Sequence, residues 1–356
     1  MEERRIFLNS ISNCRDLGGL SFQENADGGN IRPDTAARNV RPDTAVRNVR
    51  PDADGKCISR NTRARMIRPG MLLRSANLSQ AASEDIEKLR DEHRLSLVVD
   101  LRTDRETEEM PEQKIIESAG VGYIHCPILH EGMLGITHEF ENELTHSKVY
   151  IPVMEAMYRL IVTDEICLSN LGGAVRSIMG HDFEKGSVLW HCTEGKDRCG
   201  ITTSILLAAL GFEQKTIMED YLITNETNGP KAEGFYRRMI TDGASEEMAS
   251  FVKEAYLAKE EYLQAVLDVI FDQSASDADT ISAQSPASAP APAPAAVQAS
   301  GMTADPGSGT VSDPAAVQAA GMTAGQAFGP AAFLYEKLKL SPGLVEKFRN
   351  SVTAGI

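Results

Sequence analysis

Residues 187–211 read SVLWHCTEGKDRCGITTSILLAALG: an apolar stretch, a polar loop, and a second apolar stretch closed by glycine. This succession constrains the fold more than any other part of the chain. A short run such as VLW, apolar at consecutive positions, is a strand covered on both faces, because a strand with one wet face alternates. Strands covered on both faces sit in parallel sheets with helices above and below. The longer run ITTSILLAALG reads as the helix that follows, buried along most of its length and stopped at Gly211. In such sheets ligands are held beyond the carboxyl ends of the strands. The loop CTEGKDR, residues 192–198, falls there.

The rest of the chain keeps the alternation. ASEDIEKLRDEHRL, residues 82–95, predicts a helix capped by Ser83, with Ile86 and Leu89 on one face. SLVVDLR (96–102) and VGYIHCP (121–127) are further strands. SKVYIPVMEAMYRLIV (147–162) and LSNLGGAVRSIMG (168–180) predict helices, the second weakened by Gly172 and Gly173. Phe235 and Tyr236 follow NGPKAEG in a region expected to form a helical lid, where packing is the expected fate of both rings. The expected fold class is α/β, a central and mostly parallel sheet flanked by helices.

Two segments interrupt this pattern. RPDTAARNV at 32–40 is followed by RPDTAVRNV at 41–49 and a decaying RPDADG, a period too short to stack into a solenoid. Residues 32–56 are therefore expected to be a polar inserted loop. Residues 274–328 are rich in Ala, Pro, Ser and Gly and contain PAAVQASGMTA and its near-copy PAAVQAAGMTA. That composition predicts a flexible insertion without chemistry. Helical periodicity returns at Leu334, Leu338, Leu344 and Phe348, so the domain is expected to comprise 1–273 and 329–356.

A net charge of −15 argues against a general nucleic-acid binder, because neutralising many phosphates needs clustered Lys and Arg. No apolar run reaches the length of a bilayer span, and MEERRIFLNSISN lacks an uninterrupted apolar stretch of the signal-peptide kind. Cytoplasmic residence without stable membrane insertion is the expectation, with export lacking a cleavable signal left open. The six cysteines contain no CxxC pair, which disfavours structural zinc.

Cys192 stands apart because of its neighbours. Cys192 and Arg198 bracket five residues between a strand and a helix, and so short a loop curls its backbone N–H groups toward one spot. Those amides and the helix dipole make a site for a tetrahedral anion. The same field favours the Cys192 thiolate. Arg198 offers a planar fork for two phosphate oxygens, and Gly195 permits the tight curl.

HCTEGKDR, residues 191–198, resembles the signature of cysteine-dependent phosphatases, in the HCxxGKDR form of bacterial protein-tyrosine/serine phosphatases. NCRDLGGL (13–20), IRPGMLLRSANLS (67–79), VVDLRTDRETEEMP (98–111) and EDYLITN (219–225) resemble further elements of that family. The resemblance implies a tyrosine-phosphatase-like fold and a thiolate mechanism without metal or cofactor. Cys192 attacks phosphorus, Arg198 and the loop amides hold the oxygens, and Asp197 supplies the general acid. Asp100 is a reserve acid or an orienting partner for the loop cations. His191, Thr193, Glu194, Gly195 and Lys196 complete the substrate-binding set, and His191 is expected to orient the loop through its ring nitrogens. Lys196 suits substrates with several phosphates, whereas Glu194 opposes them if it points inward.

The implied substrates are phosphotyrosine, phosphoserine or phosphothreonine in proteins, or phosphoinositides. Cys199 stands where the family has a hydroxyl residue, which puts the second chemical step in doubt unless Thr202 or Thr203 substitutes; it also stands where it would trap oxidised Cys192 as a disulfide. A sulfurtransferase or arsenate reductase shares the anion loop but not the Lys-Asp-Arg ending. A catalytically impaired protein that only docks phosphorylated partners is the alternative of another class.

Overall fold

The strand expected at the catalytic loop is the middle one of a five-stranded sheet. The computed structural model describes residues 4–25, 49–51, 57–59, 62–129, 154–271 and 329–356. Its strands are β1 (Arg15–Asp16), β2 (Ser21–Asn25), β3 (Val49–Pro51), β4 (Cys57–Ser59), β5 (Thr62–Ile67), β6 (Leu72–Ser75), β7 (Leu95–Asp100), β8 (Gly122–His125), β9 (Ser187–His191) and β10 (Thr353–Gly355). The main sheet has the order β1-β6-β9-β7-β8. Strands β6, β9, β7 and β8 are mutually parallel, and β1 alone runs antiparallel at the edge. Ser75, His191, Asp100 and His125 are paired across the sheet and form one row at its carboxyl end.

The continuous apolar run has the reason the sequence suggested. Val188 and Trp190 of β9 join one core cluster, and Leu189 between them joins another on the opposite face. Helix α1 (Ser83–Glu92) covers the second face with α3 (Gln113–Ser118); α2 (Asp104–Glu109) lies between them in sequence. The first face receives α4 (Met154–Ile161), α5 (Glu165–Met179) and α6 (Asp197–Leu210). Every residue of α6 is buried, and Gly211 ends it in the left-handed region at φ 97°. Next come α7 (Gln214–Leu222), α8 (Thr224–Thr241), α9 (Glu246–Tyr256), α10 (Glu260–Phe271) and α11 (Pro342–Val352).

Three local expectations are corrected. Ser83 is the first residue of α1 rather than its cap, and Ala82 at the cap position provides no side-chain bond. The pair Gly172–Gly173 does not break α5, because the helix passes so close to a neighbour that a Cβ on Gly172 would stand 2.8 Å from the Leu338 carbonyl oxygen. Residues 333–337 form a π-type turn before α11 instead of one continuous helix.

Phe333, Leu334, Leu338, Val345 and Phe348 all enter the main core. By internal contacts the chain divides into Met1–Gln273 with Phe328–Ile356, and Ser274–Ala327. The inserted segment 274–328, and the repeat at 32–56 apart from β3, lie outside the described residues. Helices α8 and α9 pack into a hairpin with a small core of their own, Ala232, Val252 and Tyr256, on which Phe235 stacks at 4.7 Å. This is the helical lid region of the sequence. Among the described residues, no helix is long and apolar enough to cross a membrane.

Candidate active site

The loop after β9 is shaped by its carbonyl groups. Asn77 donates through its backbone N–H at 3.1 Å and its Nδ2 at 3.0 Å to the Thr193 carbonyl. Asn13 Nδ2 donates to the carbonyls of Glu194 at 3.1 Å and Gly195 at 3.0 Å, and Arg74 Nη2 donates to Gly195 O at 2.8 Å. Three successive carbonyls are thus held on the outside of the curl. In such a turn the amide N–H groups face the other way, toward the concave side. Gly195 is required twice over: its φ is +66°, and a Cβ there would stand 2.5 Å from Ser75 O.

Cys192, at the base of this cradle, is buried. Burial alone would raise its thiol pKa. The Cys199 S–H and backbone N–H, together with the Arg198 charge, outweigh burial and opposing Asp197, and bring it down to about 6. Cys199 itself stays a donor: burial, reinforced by the Cys192 sulfur, holds its pKa well above the ordinary thiol range. Thr203 is not the substitute donor, because its hydroxyl donates to Cys199 O at 2.7 Å and accepts from Trp190 Nε1 at 3.3 Å.

Arg198 is held by a residue the sequence reading passed over. Its Nη1 lies 2.5 Å from Glu106 Oε2 and its Nη2 2.8 Å from Oε1, a two-pronged pair, and Nη2 also reaches Thr193 Oγ1 at 3.1 Å. The Thr193 hydroxyl donates to Glu106 Oε1 in turn. Three of the five guanidinium N–H donors are thereby used, leaving one on Nη1 and the Nε–H for an anion. Burial works to raise the Glu106 carboxyl, but Arg198 holds it well below the usual carboxylate range. Glu106 is placed by a capping box with Thr103 at the start of α2, a pattern visible as T-x-x-E in the sequence.

Asp197 opens α6. Its Oδ1 accepts from the Tyr158 hydroxyl, which is 2.7 Å from the Tyr221 hydroxyl, and lies 3.2 Å from Lys196 Nζ. Oδ1 is thus engaged by the Tyr158 hydroxyl and the Lys196 charge.

Lys196 and Glu194 do not take the places expected of them. The Lys196 ammonium is fully buried and donates to the carbonyls of Ala255, at the end of α9, and Leu257. It is engaged with a helix terminus, where four carbonyls lack intrahelical partners, and not with the loop's mouth. Glu194 points outward, 3.1 Å from Lys231 Nζ on α8, so it does not oppose an anion in the cradle.

Asp100 needs the largest correction. Its Oδ1 accepts from Arg102 N and Nε, each at 3.0 Å, and its Oδ2 from Arg102 Nη2 at 2.7 Å and the Tyr123 hydroxyl at 2.8 Å. Although burial opposes ionisation, His191 and Arg102 hold the carboxyl well below its ordinary range. A carboxylate so occupied is neither an acid for substrate nor a partner of Lys196 or Arg198. His191 is also behind the loop: its Nδ1 lies 3.2 Å from Cys192 O and its Nε2 2.6 Å from Glu112 Oε1.

The remaining motif residues brace the loop from below. Arg74 and Arg15 both pair with buried Asp220, at 3.1 and 3.2 Å, and Arg4 joins them at 3.0 Å. Asp16 accepts from Gly18 N and Gly70 N at 2.8 and 2.6 Å. Arg15 and Asp16 thus knit the amino-terminal segment to the body. Asp220 lay in the EDYLITN element without a role assigned to it, and no pattern in the sequence announced Glu112 or Tyr158 as partners of the site, since each acts from an element distant along the chain.

The fold and this loop define an α/β protein with a buried cysteine of lowered pKa at the base of a loop whose carbonyls are held outward. The sequence model of the tyrosine phosphatase family matches residues 44–279. The chain belongs to the tyrosine phosphatase family. A Cupriavidus necator protein provisionally named a tyrosine-protein phosphatase is 30% identical over 171 residues, covering 46% of this chain and 56% of that one. The triple specificity protein phosphatase PtpB of Mycobacterium tuberculosis is 27% identical over 180 residues, covering 46% and 64%. The chain therefore spans less than two thirds of the length of these relatives. Among solved structures, TpbA of Pseudomonas aeruginosa shows 14% identity over 56% of this chain and 89% of its own, at a TM-score of 0.27. A likeness at that score carries no functional weight.

Proposed function

We propose that the chain hydrolyses phosphomonoesters through a phosphocysteine formed on Cys192, with phosphotyrosine as the preferred substrate. The observation that supports this most is the outward anchoring of the three loop carbonyls around a thiolate whose pKa is lowered to about 6. Amides turned inward stabilise the three equatorial oxygens of the phosphoryl group as their charge grows in the transition state. The two Arg198 donors left over by Glu106 bind the same oxygens. Cys192 attacks in line, and the ester oxygen departs with a proton from Asp197. Water then attacks the phosphocysteine while Asp197 takes its proton. The Cys199 S–H, a weaker donor than a hydroxyl, turns from the Ser75 and Trp190 carbonyls at 3.7 and 3.9 Å to receive the returning sulfur charge.

The positions of Lys196 and Glu194 support a preference for a single phosphate. Lys196 and Glu194 are both committed elsewhere, so Arg198 is the loop cation left to face substrate. Phosphoserine, phosphothreonine and phosphoinositides are within the chemistry of the cradle. A substrate with a second phosphate gains nothing from Lys196 while its ammonium stays on the α9 carbonyls.

Hydrolysis of an aryl phosphate with chelator and reductant present tests the reading. Wild type is expected to turn over repeatedly, with kcat/KM rising through about pH 6 as Cys192 ionises, and Cys192→Ser to lose all turnover. A burst of one equivalent that stalls would show that Cys199 fails in the second step. Phosphopeptide binding with no release of phosphate would leave a docking protein in place of an enzyme.

A further inference from the structure

Behind the loop lies a buried charge cluster that the reaction just described does not use. Glu112 precedes α3 and is almost completely buried at 2% exposure. Its Oε2 accepts from Leu78 N at 2.9 Å and lies 3.0 Å from Arg102 Nη2; its Oε1 is the atom 2.6 Å from His191 Nε2. The groups facing His191 come from several elements. Asp100 at the end of β7 is 3.8 Å away, Arg102 follows it, Tyr123 of β8 stands on Asp100, and the Cys192 carbonyl approaches from the loop itself. Two carboxylates thus meet Arg102 and the imidazole in a dry interior.

The geometry decides the protonation of that imidazole. Nδ1 needs its hydrogen to donate to the Cys192 carbonyl at 3.2 Å, and Nε2 meets Glu112 Oε1 at 2.6 Å as a close ion pair without an aligned hydrogen bond, with Asp100 a second carboxylate 3.8 Å away. Two buried carboxylates around one ring favour the imidazolium over the neutral imidazole. We propose that Glu112 is a positioning residue of the catalytic loop, holding His191 as an imidazolium whose Nδ1–H fixes the Cys192 carbonyl and with it the start of the loop. The inference rests on the reading of Cys192 as nucleophile. The pKa of His191 agrees with it: burial pulls it down, but Glu112 and Asp100 outweigh burial and raise it to about 8. Once the imidazole loses a proton, Glu112 loses the charge it pairs with, and a ring that keeps its hydrogen on Nε2 no longer donates to the Cys192 carbonyl.

The test follows His191 directly by NMR of ring-labelled histidine, assigned with a His191→Asn variant, alongside the pH dependence of aryl phosphate hydrolysis. Wild type is expected to show a His191 midpoint near 8 and a fall in kcat/KM on the same alkaline limb. In Glu112→Gln the midpoint falls below the ordinary 6.5. From the fraction protonated, kcat/KM then drops about tenfold at pH 7.5 but only about twofold at pH 6. Glu112→Asp restores part of both. A merely structural role would lower the rate equally at the two pH values.

A wild-type midpoint at or below 6.5, or an unchanged midpoint in folded Glu112→Gln, overturns the proposal. If that variant does not fold, the wild-type midpoint decides. Absence of hydrolysis by wild type would sink the phosphatase reading while leaving the His191 titration to judge Glu112.

Discussion

Arg198 is aimed by Glu106, and the pair separates two things that a loss of activity usually confounds. Glu106→Gln keeps the shape of the side chain but removes the charge that grips both guanidinium nitrogens. The arginine keeps its charge, so the thiolate keeps its main charged support, while the fork loses its aim. Removing one well-placed transition-state contact costs on the order of a hundredfold in rate, and kcat/KM of Glu106→Gln is expected to fall by about that factor. The midpoint of Cys192 alkylation by iodoacetamide is expected to stay at or below about 6. A midpoint moved toward 9 would show that Glu106 supports the thiolate itself, and the account of Arg198 would need revision. At this scale Cys192, Arg198 and Gly195 were legible in the sequence, because all three lie in one short run with a shared physical reason. Glu106 left a readable trace in its capping box with Thr103. Glu112 left none, since a proline–glutamate pair after a short helix has no period or spacing to single it out.

Helices α8 and α9 meet the loop through two lysines, Lys231 at Glu194 and Lys196 at the α9 carbonyls, and the sequence suggested a different place for the second. Lys196 appeared in the motif as a charge for substrate because it lies between Cys192 and Arg198 in the loop. Only the packing of α9, encoded some sixty positions later, shows the ammonium at the Ala255 and Leu257 carbonyls. Helix termini leave carbonyls without intrahelical partners, and leaving such a group buried and unpaired costs about 1–3 kcal/mol. Lys196→Met, which keeps most of the stem, is therefore expected to loosen the end of α9 selectively. Backbone hydrogen exchange over residues 252–258 should quicken by about tenfold or more, while β7 and β9 keep their protection. Uniform acceleration across the sheet would mean that Lys196 supports the whole fold through Asp197 and not α9 in particular. Element types were otherwise legible where apolar runs were unbroken and bounded by polar residues or glycine, as in β7, β9 and α6. They were less so where glycine and proline masked it. Gly172 serves a close approach to Leu338 and Pro230 lies inside α8, and neither reason is local.

The whole molecule is folded from two stretches of chain that meet across a long excursion. Phe271 ends α10, and a Cβ on Gly329, where the described chain resumes, would stand 4.0 Å from the Phe271 carbonyl oxygen. From there Phe333, Leu334 and Leu338 enter the same core as Leu263, Leu267 and Ile270. The closing segment is therefore part of the hydrophobic body, and the ends of the excursion are already adjacent. Replacing 274–327 with a five-residue Gly/Ser bridge spans that gap and keeps every described contact. Closure entropy grows only with the logarithm of loop length, so shortening the loop roughly tenfold favours folding by about 2 kcal/mol. The excised protein is expected to unfold at the same Tm or a few degrees higher, with kcat/KM for an aryl phosphate within about twofold of the full chain. A Tm lowered by more than about five degrees would mean that the Ala- and Pro-rich segment stabilises the body. Truncation at Phe271 is the opposite experiment. It removes Phe333, Leu334, Val345 and Phe348 from the face of the sheet on which Trp190 and Cys192 lie, and it should abolish cooperative unfolding. The two deletions together separate sequence that interrupts the fold from sequence that completes it.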